Sequence, residues 1–383
     1  MIELDLKTAG YLMDCKHFGT CGSCRIYDGG YDAQLKQKGE AIRELFSQIY
    51  AGDILPHVSP QSHYRARSEF KVWHVGDEVH YAMNALEQKG VVLIEECPKV
   101  IKPIEALMWP LLERIKTDSM DHKLFGIDFL STTEGKIVIS MLYHRRLDDE
   151  FSKKAAVLAE LFDINIIGRS RKQKVVIGED FVTDTLTFNH KTYQFRQIEN
   201  SFTQPNPRVN EQMVGWSLEQ FKGIEGDLLE LYCGAGNFTI PFASQFHKVL
   251  ATEISKSSIN AAKINMELNH IENIEFVRMS AEEFVQALDG VREFRRMKAI
   301  DLKSYELSTL FVDPPRAGLD ADSCAFAARF DHLLYISCNP ETLKRDLELL
   351  LETHEINAMA MFDQFPYTHH IEMGVKLTKR VSI

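Results

Sequence analysis

The sequence predicts an α/β protein with a mostly parallel sheet and helices on both of its faces. An α+β domain carrying a cysteine cluster precedes that sheet. Three observations predict this. From Asn200 onward, short apolar strands alternate with helical segments, the pattern of a sheet wrapped by helices. A glycine turn, Cys233-Gly234-Ala235-Gly236-Asn237, joins a strand to a helix. Between Ser59 and about Glu199 the chain instead alternates short β-like runs with polar turns.

Bulk properties fit that division. A chain of 383 residues is long for a single core. With 45% hydrophobic and 26% charged residues, the composition is that of a globular protein. No apolar run reaches the length of a membrane span. The start, Met1 to Leu6, lacks the basic end and apolar centre of a signal peptide, so a cytoplasmic protein is expected. A net charge of -11 argues against indiscriminate nucleic-acid binding. It leaves room for a local basic patch, because screening confines fields to roughly 10 Å.

Taken in order, residues 1–58 hold the cysteine cluster and an amphipathic helix with Ile42, Leu45, Phe46 and Ile49 on one face. Residues 59–199 carry β-like runs at Phe70–Trp73, Ile137–Tyr143 and Lys174–Ile177, interrupted by one helix near Glu150–Phe162. Residues 200–383 form the strand–helix alternation. No internal repeat or low-complexity linker separates the three, so they should pack closely.

In the last stretch the strand Asp227–Tyr232 runs into the glycine turn. Glycines there let the backbone approach a ligand closely. A second strand, Val249–Thr252, ends at Glu253, about 20 residues past the first glycine, where such folds hold ribose hydroxyls with a carboxylate. There is no P-loop lysine and no full G-x-G-x-x-G. A sulfonium nucleoside, S-adenosylmethionine, therefore fits better than a dinucleotide or a triphosphate. A third strand, Ile274–Arg278, leads to Ser280-Ala281-Glu282, whose polar side chains are expected to face the adenine. A fourth, Thr309–Val312, ends at Asp313 before Pro314-Pro315-Arg316, a rigid turn beside the ligand crevice.

The strand Leu333–Ser337 ends at Cys338, and Asn339, Pro340 and Glu341 then mark a helix start. The partial positive charge of a helix N-terminus favours a thiolate, so Cys338 is the expected nucleophile. Cys324 lies in an alanine-rich helical run and reads as core, and Cys233 sits where the cofactor belongs. A thiolate, a base and a sulfonium nucleoside together suit one reaction in particular, methyl transfer to uracil: C5 becomes nucleophilic once a thiolate adds at C6, and a base must then remove the C5 proton. The segment Phe362–Glu372 is rich in bases, and Glu372 is the expected proton acceptor. His369 and His370 are adjacent and face opposite ways if extended, which disfavours a metal pair.

Near the N-terminus, Cys15, Cys21 and Cys24 are tightly spaced, and Cys97 precedes a proline. Four such cysteines point to a [4Fe-4S] cluster, with zinc as the alternative. A cluster would pin the N-terminal segment to the middle domain, since methyl transfer needs no redox step.

The segments Ser62–Arg67, His122–Phe125, Glu199–Asn206, Leu228–Phe238, Phe311–Leu319, Ile336–Leu343 and Phe362–Glu372 resemble the RNA uracil-5-methyltransferases, and within them the tRNA (uracil-5-)-methyltransferase branch. The resemblance spans everything after about residue 55. It implies a Rossmann-like S-adenosylmethionine-dependent methyltransferase domain behind an RNA-binding domain. Cys338 is implied as nucleophile and Glu372 as base, with Gln204, Tyr232, Asn237, Glu253 and Asp313 around the cofactor. The implied target is the T-loop uridine of tRNA, made into ribothymidine. The cysteine spacing resembles instead the cluster-bearing, ribosomal-RNA branch, which leaves 23S ribosomal RNA as the alternative substrate. Reaching C6 in a folded loop requires base extrusion, and Phe125 matches an aromatic of the family suited to stacking. Arg65, Arg67 and Lys71, and separately Arg169, Arg171, Lys172 and Lys174, are the expected phosphate contacts.

Overall fold

A computed structural model describes residues 13–26, 28–87 and 89–380, so the Met1–Leu6 start considered above lies outside the described residues. Helix α1 (Gly30–Phe46) and strand β1 (Ile54–His57) come first. The middle of the chain holds β2 (Arg67–Val75), β3 (Glu78–Asn84), β4 (Val91–Ile94), α2 (Lys102–Thr117), β5 (Leu124–Ser131), β6 (Ile137–Tyr143), α3 (Asp149–Phe162), β7 (Asn165–Ser170) and β8 (Gln173–Ile177). A hairpin, β9 (Phe181–Phe188) and β10 (Lys191–Ile198), leads into α4 (Pro207–Gln220). The alternating half then runs β11 (Asp227–Leu231), α5 (Thr239–Phe242), β12 (Val249–Thr252), α6 (Lys256–Leu268), β13 (Ile274–Val277) and α7 (Ala281–Leu288). It ends with β14 (Leu307–Val312), α8 (Ala321–Ala327), β15 (His332–Ser337), α9 (Pro340–Leu350), β16 (His354–Phe362) and β17 (Glu372–Lys379).

The larger sheet has the order β1-β16-β17-β15-β14-β11-β12-β13. Its β15-β14-β11-β12-β13 part is parallel. Strand β17 runs antiparallel to both neighbours, and β1 lies parallel to β16. Because side chains alternate across a strand, successive residues feed two cores on opposite faces. Leu229, Leu231, Leu310 and Val312 enter one, and Leu228, Phe311, Leu334 and Ile336 enter the other. The predicted mostly parallel, doubly covered sheet is thus present.

Helix α1 adds to this body from a distance in sequence. Ile42 and Phe46 are buried in the first core, with Leu45 partly buried against it; Ile49, expected on the helix, lies in the turn just past its end and is partly buried there too. Burying each such side chain contributes about 1.5–3 kcal/mol, enough to hold the helix on the sheet. Polar Gln34 and Lys38 are buried on the same face, which periodicity alone did not flag.

The middle sheet, order β4-β3-β2-β5-β6-β7-β8, is antiparallel except where β6 and β7 pair in parallel across α3. Two helices, not one, interrupt it. Helix α2 was missed because Pro110 sits inside it, and an interior proline ordinarily breaks a helix. Its face of Ile104, Leu107, Met108, Leu111, Leu112 and Ile115 is buried, and that packing outweighs the lost hydrogen bond. Hairpin β9–β10 packs Leu186, Phe188, Tyr193 and Phe195 into the second core of the larger sheet. No helix among the described residues is long and apolar enough to cross a membrane.

Candidate active site

Strand order reverses beside β11. From it the chain steps outward through β12 to β13, then returns to place β14 on its other side. Open α/β sheets bind ligands in the crevice at such a switch point, outside the carboxyl ends of the strands. A cavity of about 750 Å³ lies there. Gln204, Tyr232, Asn237, Glu253, Asp313, Cys338 and Glu372 all line it. Seven residues spread over 169 positions of sequence therefore meet in one chamber.

The glycine turn shapes the cofactor side. Gly234 and Gly236 have φ of 55° and 85°, and a Cβ on Gly236 would stand 3.2 Å from Cγ1 of Ile240. Tyr232 also has positive φ, 65°, an uncommon conformation for a residue with a side chain. The Glu253 carboxylate accepts N–H bonds from Gly234 at 3.2 Å and Ser255 at 2.7 Å, one on each oxygen. Its remaining lone pairs suit ribose hydroxyls. Asn237 is held by a reciprocal amide pair with Asn210, 2.8 and 2.9 Å, and Gln204 accepts from Gln364 at 2.7 Å. Met279, Ser280 and Ala281 line the same chamber. Ser280 caps α7 in a capping box with Glu283, while Glu282 is not part of the lining.

The reacting end lies at β15, β14 and β17. Asn339 caps α9 as expected, accepting from Glu341 N at 3.2 Å, with Pro340 in the first turn. The thiol beside that helix start is not acidified, however. Burial, and then the carboxyls of Glu372 and Asp313, push Cys338 up to about 11, against a smaller opposing effect from Arg316. The expectation of a thiolate favoured by the helix end is thereby corrected. A helix end supplies only about half a charge, which burial and two nearby carboxyls outweigh. Glu372 is buried and lies well above the usual carboxylate range, through burial and then Asp313. Burial alone lifts Asp313 to about 7. Phe365, His370 and Arg316 complete this wall, and sequence reasoning did not single them out for the site. Their signal was present: each lies within a segment that carries the resemblance.

None of the basic residues expected to contact phosphates lines this chamber itself. The Arg65 guanidinium lies 5.7 Å over the Phe365 ring, and Arg67 donates to the carbonyl of Ser201. Lys71 bonds Asn84 at 2.6 Å. Arg169 forms a fork with buried Glu199, and Lys174 pairs with Asp180 at 2.5 Å. These acids come from a later part of the chain, so the run without an acid in sequence is partly neutralised in space. Arg171 and Lys172 are exposed. Phe125 stacks on His144, ring centroids 3.9 Å apart, between two open grooves. One groove carries Arg145, Arg146 and Arg171, and the other carries Trp73 and Lys123. The run His144-Arg145-Arg146 was legible as a basic motif but had not been picked out.

Cys15, Cys21, Cys24 and Cys97 line a common cavity, but it measures only about 20 Å³. That is room for about one water. Among the described residues no three His, Cys, Asp or Glu side chains form a group able to hold a metal ion. The expected [4Fe-4S] ligand set is therefore not supported. Burial pushes the thiols of Cys15, Cys24 and Cys97 up, Cys24 to about 12. Cys24 packs instead with Met13, Tyr31, Tyr64 and Tyr367.

Comparison with known proteins agrees with the geometry. Residues 30–380 match the tRNA (Uracil-5-)-methyltransferase family. A tRNA/tmRNA (uracil-C(5))-methyltransferase of Sulfurimonas denitrificans is 60% identical over 369 residues, 96% of this chain and 100% of the relative. Its namesake in Sulfurovum sp. is 52% identical, again over 96% of this chain and 100% of the relative. In solved structures, the Pyrococcus abyssi tRNA (uracil-54, C5)-methyltransferase bound to S-adenosyl-L-homocysteine shares the fold. The TM-score is 0.69 at 23% identity, covering 91% of this chain and 83% of that one. On the family match and these identities, the chain belongs to the tRNA (uracil-5-)-methyltransferase family.

Proposed function

We propose that this chain methylates C5 of a uridine in tRNA with S-adenosylmethionine, and that the uridine is the one in the T-loop that becomes ribothymidine. The observation that carries the chemistry is the meeting of the Cys338 thiol, the buried Glu372 carboxyl and the Glu253 ribose cradle in one chamber. When bound, S-adenosylmethionine supplies an electrophilic methyl carbon on a cationic sulfur.

The protein does the rest. Having lost its proton to solvent, the Cys338 thiolate bonds through sulfur to C6, and the C5–C6 π electrons move to an enolate at O4. C5 then takes the methyl carbon, and S-adenosylhomocysteine is left. Glu372, as carboxylate, accepts the C5 proton; that electron pair re-forms the C5–C6 double bond and expels the Cys338 thiolate. In the free enzyme burial raises both groups, the Cys338 thiol to about 11 and the Glu372 carboxyl well above the usual carboxylate range. A sulfonium cation bound in the same chamber would favour the ionised form of each.

Phe125 and His144 would hold an unstacked base, with Arg145, Arg146, Arg171 and Lys172 around them for phosphates. Arg169, which lines this groove, is committed to Glu199, while Arg65 and Arg67 are committed to Phe365 and Ser201 at the reacting chamber.

The target is tested by incubating the enzyme with unmodified tRNA and 23S ribosomal RNA transcripts and mapping the methylated nucleotide. Methylation at the T-loop uridine is expected; modification of the ribosomal transcript alone would exchange the substrate. The cofactor cradle is tested by Glu253→Ala. Losing a charge-assisted acceptor for the ribose is expected to raise the S-adenosylhomocysteine Kd by about 10–100-fold, measured calorimetrically, since such bonds are worth about 1.5–3 kcal/mol. An unchanged Kd would remove Glu253 from the site.

A further inference from the structure

The turn from β16 to β17 runs from Asp363 to Ile371 and delivers Glu372 as the first residue of β17. Its Phe365 and His370 side chains face the reacting chamber with Cys338. One ammonium group ties this turn closed. Lys38, in the middle of α1 and 3% exposed, donates to Asp363 Oδ1 at 2.6 Å and to the carbonyls of Phe365 and His370, each at 3.0 Å. All three ammonium protons are thereby used, and the two carbonyls belong to opposite ends of the turn. Gln34, one helical turn earlier, donates to Asp363 Oδ2 at 2.8 Å, and its oxygen accepts from Tyr367 N at 3.3 Å. Tyr367 has a φ of 60°.

Burying a charge at the helix–turn contact is costly, and apolar side chains of similar volume close such contacts at no electrostatic cost. A hydrophobic residue, however, cannot hold two carbonyls and a carboxylate at fixed positions. We propose that Lys38 is a positioning residue for the proton-removal step. Through the turn it sets where the Glu372 carboxylate and the Phe365–His370 wall stand relative to C5. This rests on the reading of Glu372 as the base.

The same substitution should therefore mimic a damaged base. If the C5 proton stays, the S–C6 bond cannot be expelled, and the methylated RNA remains joined to Cys338. The test uses full-length enzyme with Lys38→Met and Glu372→Gln, a T-loop stem RNA containing ordinary uridine, and S-adenosylmethionine. Denaturing gels read the covalent complex, steady-state kinetics give kcat and KM, and calorimetry with S-adenosylhomocysteine reports the cofactor site.

For Lys38→Met, kcat is expected to fall about 10–100-fold, the penalty of misplacing a reacting group by about 1 Å. KM for RNA should change less than about threefold, cofactor affinity should hold within about twofold, and the covalent complex should accumulate. If Glu372→Gln accumulates the complex and Lys38→Met turns over like wild type, positioning by Lys38 is overturned while the base assignment stands. If Glu372→Gln accumulates none, the base assignment falls and takes this proposal with it. Should Lys38→Met fail to fold, Gln34→Leu carries the same test from the other oxygen of Asp363. Loss of cofactor binding in both variants would make Lys38 a general anchor of the fold and overturn the proposal.

Discussion

Cys338→Ala is expected to lower methyl transfer by on the order of 10⁴-fold or more and to abolish any adduct with 5-fluorouridine RNA. The magnitude follows from the chemistry. Without sulfur at C6, C5 has no enolate to share its charge, and the remaining cavity offers only binding and orientation. The adduct has a second, independent signature. Because burial, Glu372 and Asp313 raise the thiol to about 11, its reactive fraction in the free enzyme grows with pH throughout the neutral range. The sign is that of a group active when deprotonated: below its pKa the thiolate fraction rises about tenfold per pH unit. Adduct formation without cofactor, followed by gel shift, should therefore climb with a slope near one in logarithmic units between about pH 6 and pH 9. With S-adenosylhomocysteine, which lacks the sulfonium charge, the profile should stay where it is. Methyl groups still reaching RNA in Cys338→Ala would end the covalent assignment, and a plateau below pH 7 would refute the raised thiol.

Glu372→Gln is expected to reduce turnover by about 10²–10⁴-fold, the usual contribution of a positioned general base. Binding should suffer little, because glutamine preserves the volume of this buried side chain. The distinguishing result is the step that fails. C5 tritium on the uridine should remain in the RNA while methyl label is incorporated once per enzyme, as a stable protein–RNA complex. Release of tritium at the wild-type rate would mean that another group takes the proton, and His370, on the same wall, would be the next to test. The raised position of Glu372 makes the pH response of wild type informative as well. A base must be ionised to act, so kcat/KM, which reports the free enzyme's groups, should fall as pH drops through its folded-state pKa, and it should do so above the range of an ordinary carboxylate.

Much of this was legible from local sequence. The cap Asn339-Pro340-Glu341, the glycines at 234 and 236, the strand-end acids Glu253 and Asp313, and the cysteine at the end of β15 are all patterns of neighbouring residues. Backbone geometry at a strand end or helix start depends on a few adjacent side chains, so spacing suffices to find them. Three features were not legible. Helix α2 defied its interior Pro110 because six apolar side chains bury on one face. The Cys338 thiol rises instead of falling because two carboxyls from other strands face it. The cysteine spacing promised a cluster, yet the side chains converge on a cavity of about 20 Å³ and form no metal-holding group among the described residues.

By itself the sequence determined the strand–helix alternation after Asn200, the cofactor class and the two groups expected to react. Tertiary structure alone decided which charges are paired and which are buried. Arg169 meets Glu199 across 30 positions and Lys38 meets Asp363 across 325. Desolvation and Coulomb energy depend on distances in space, which no local pattern along the chain encodes.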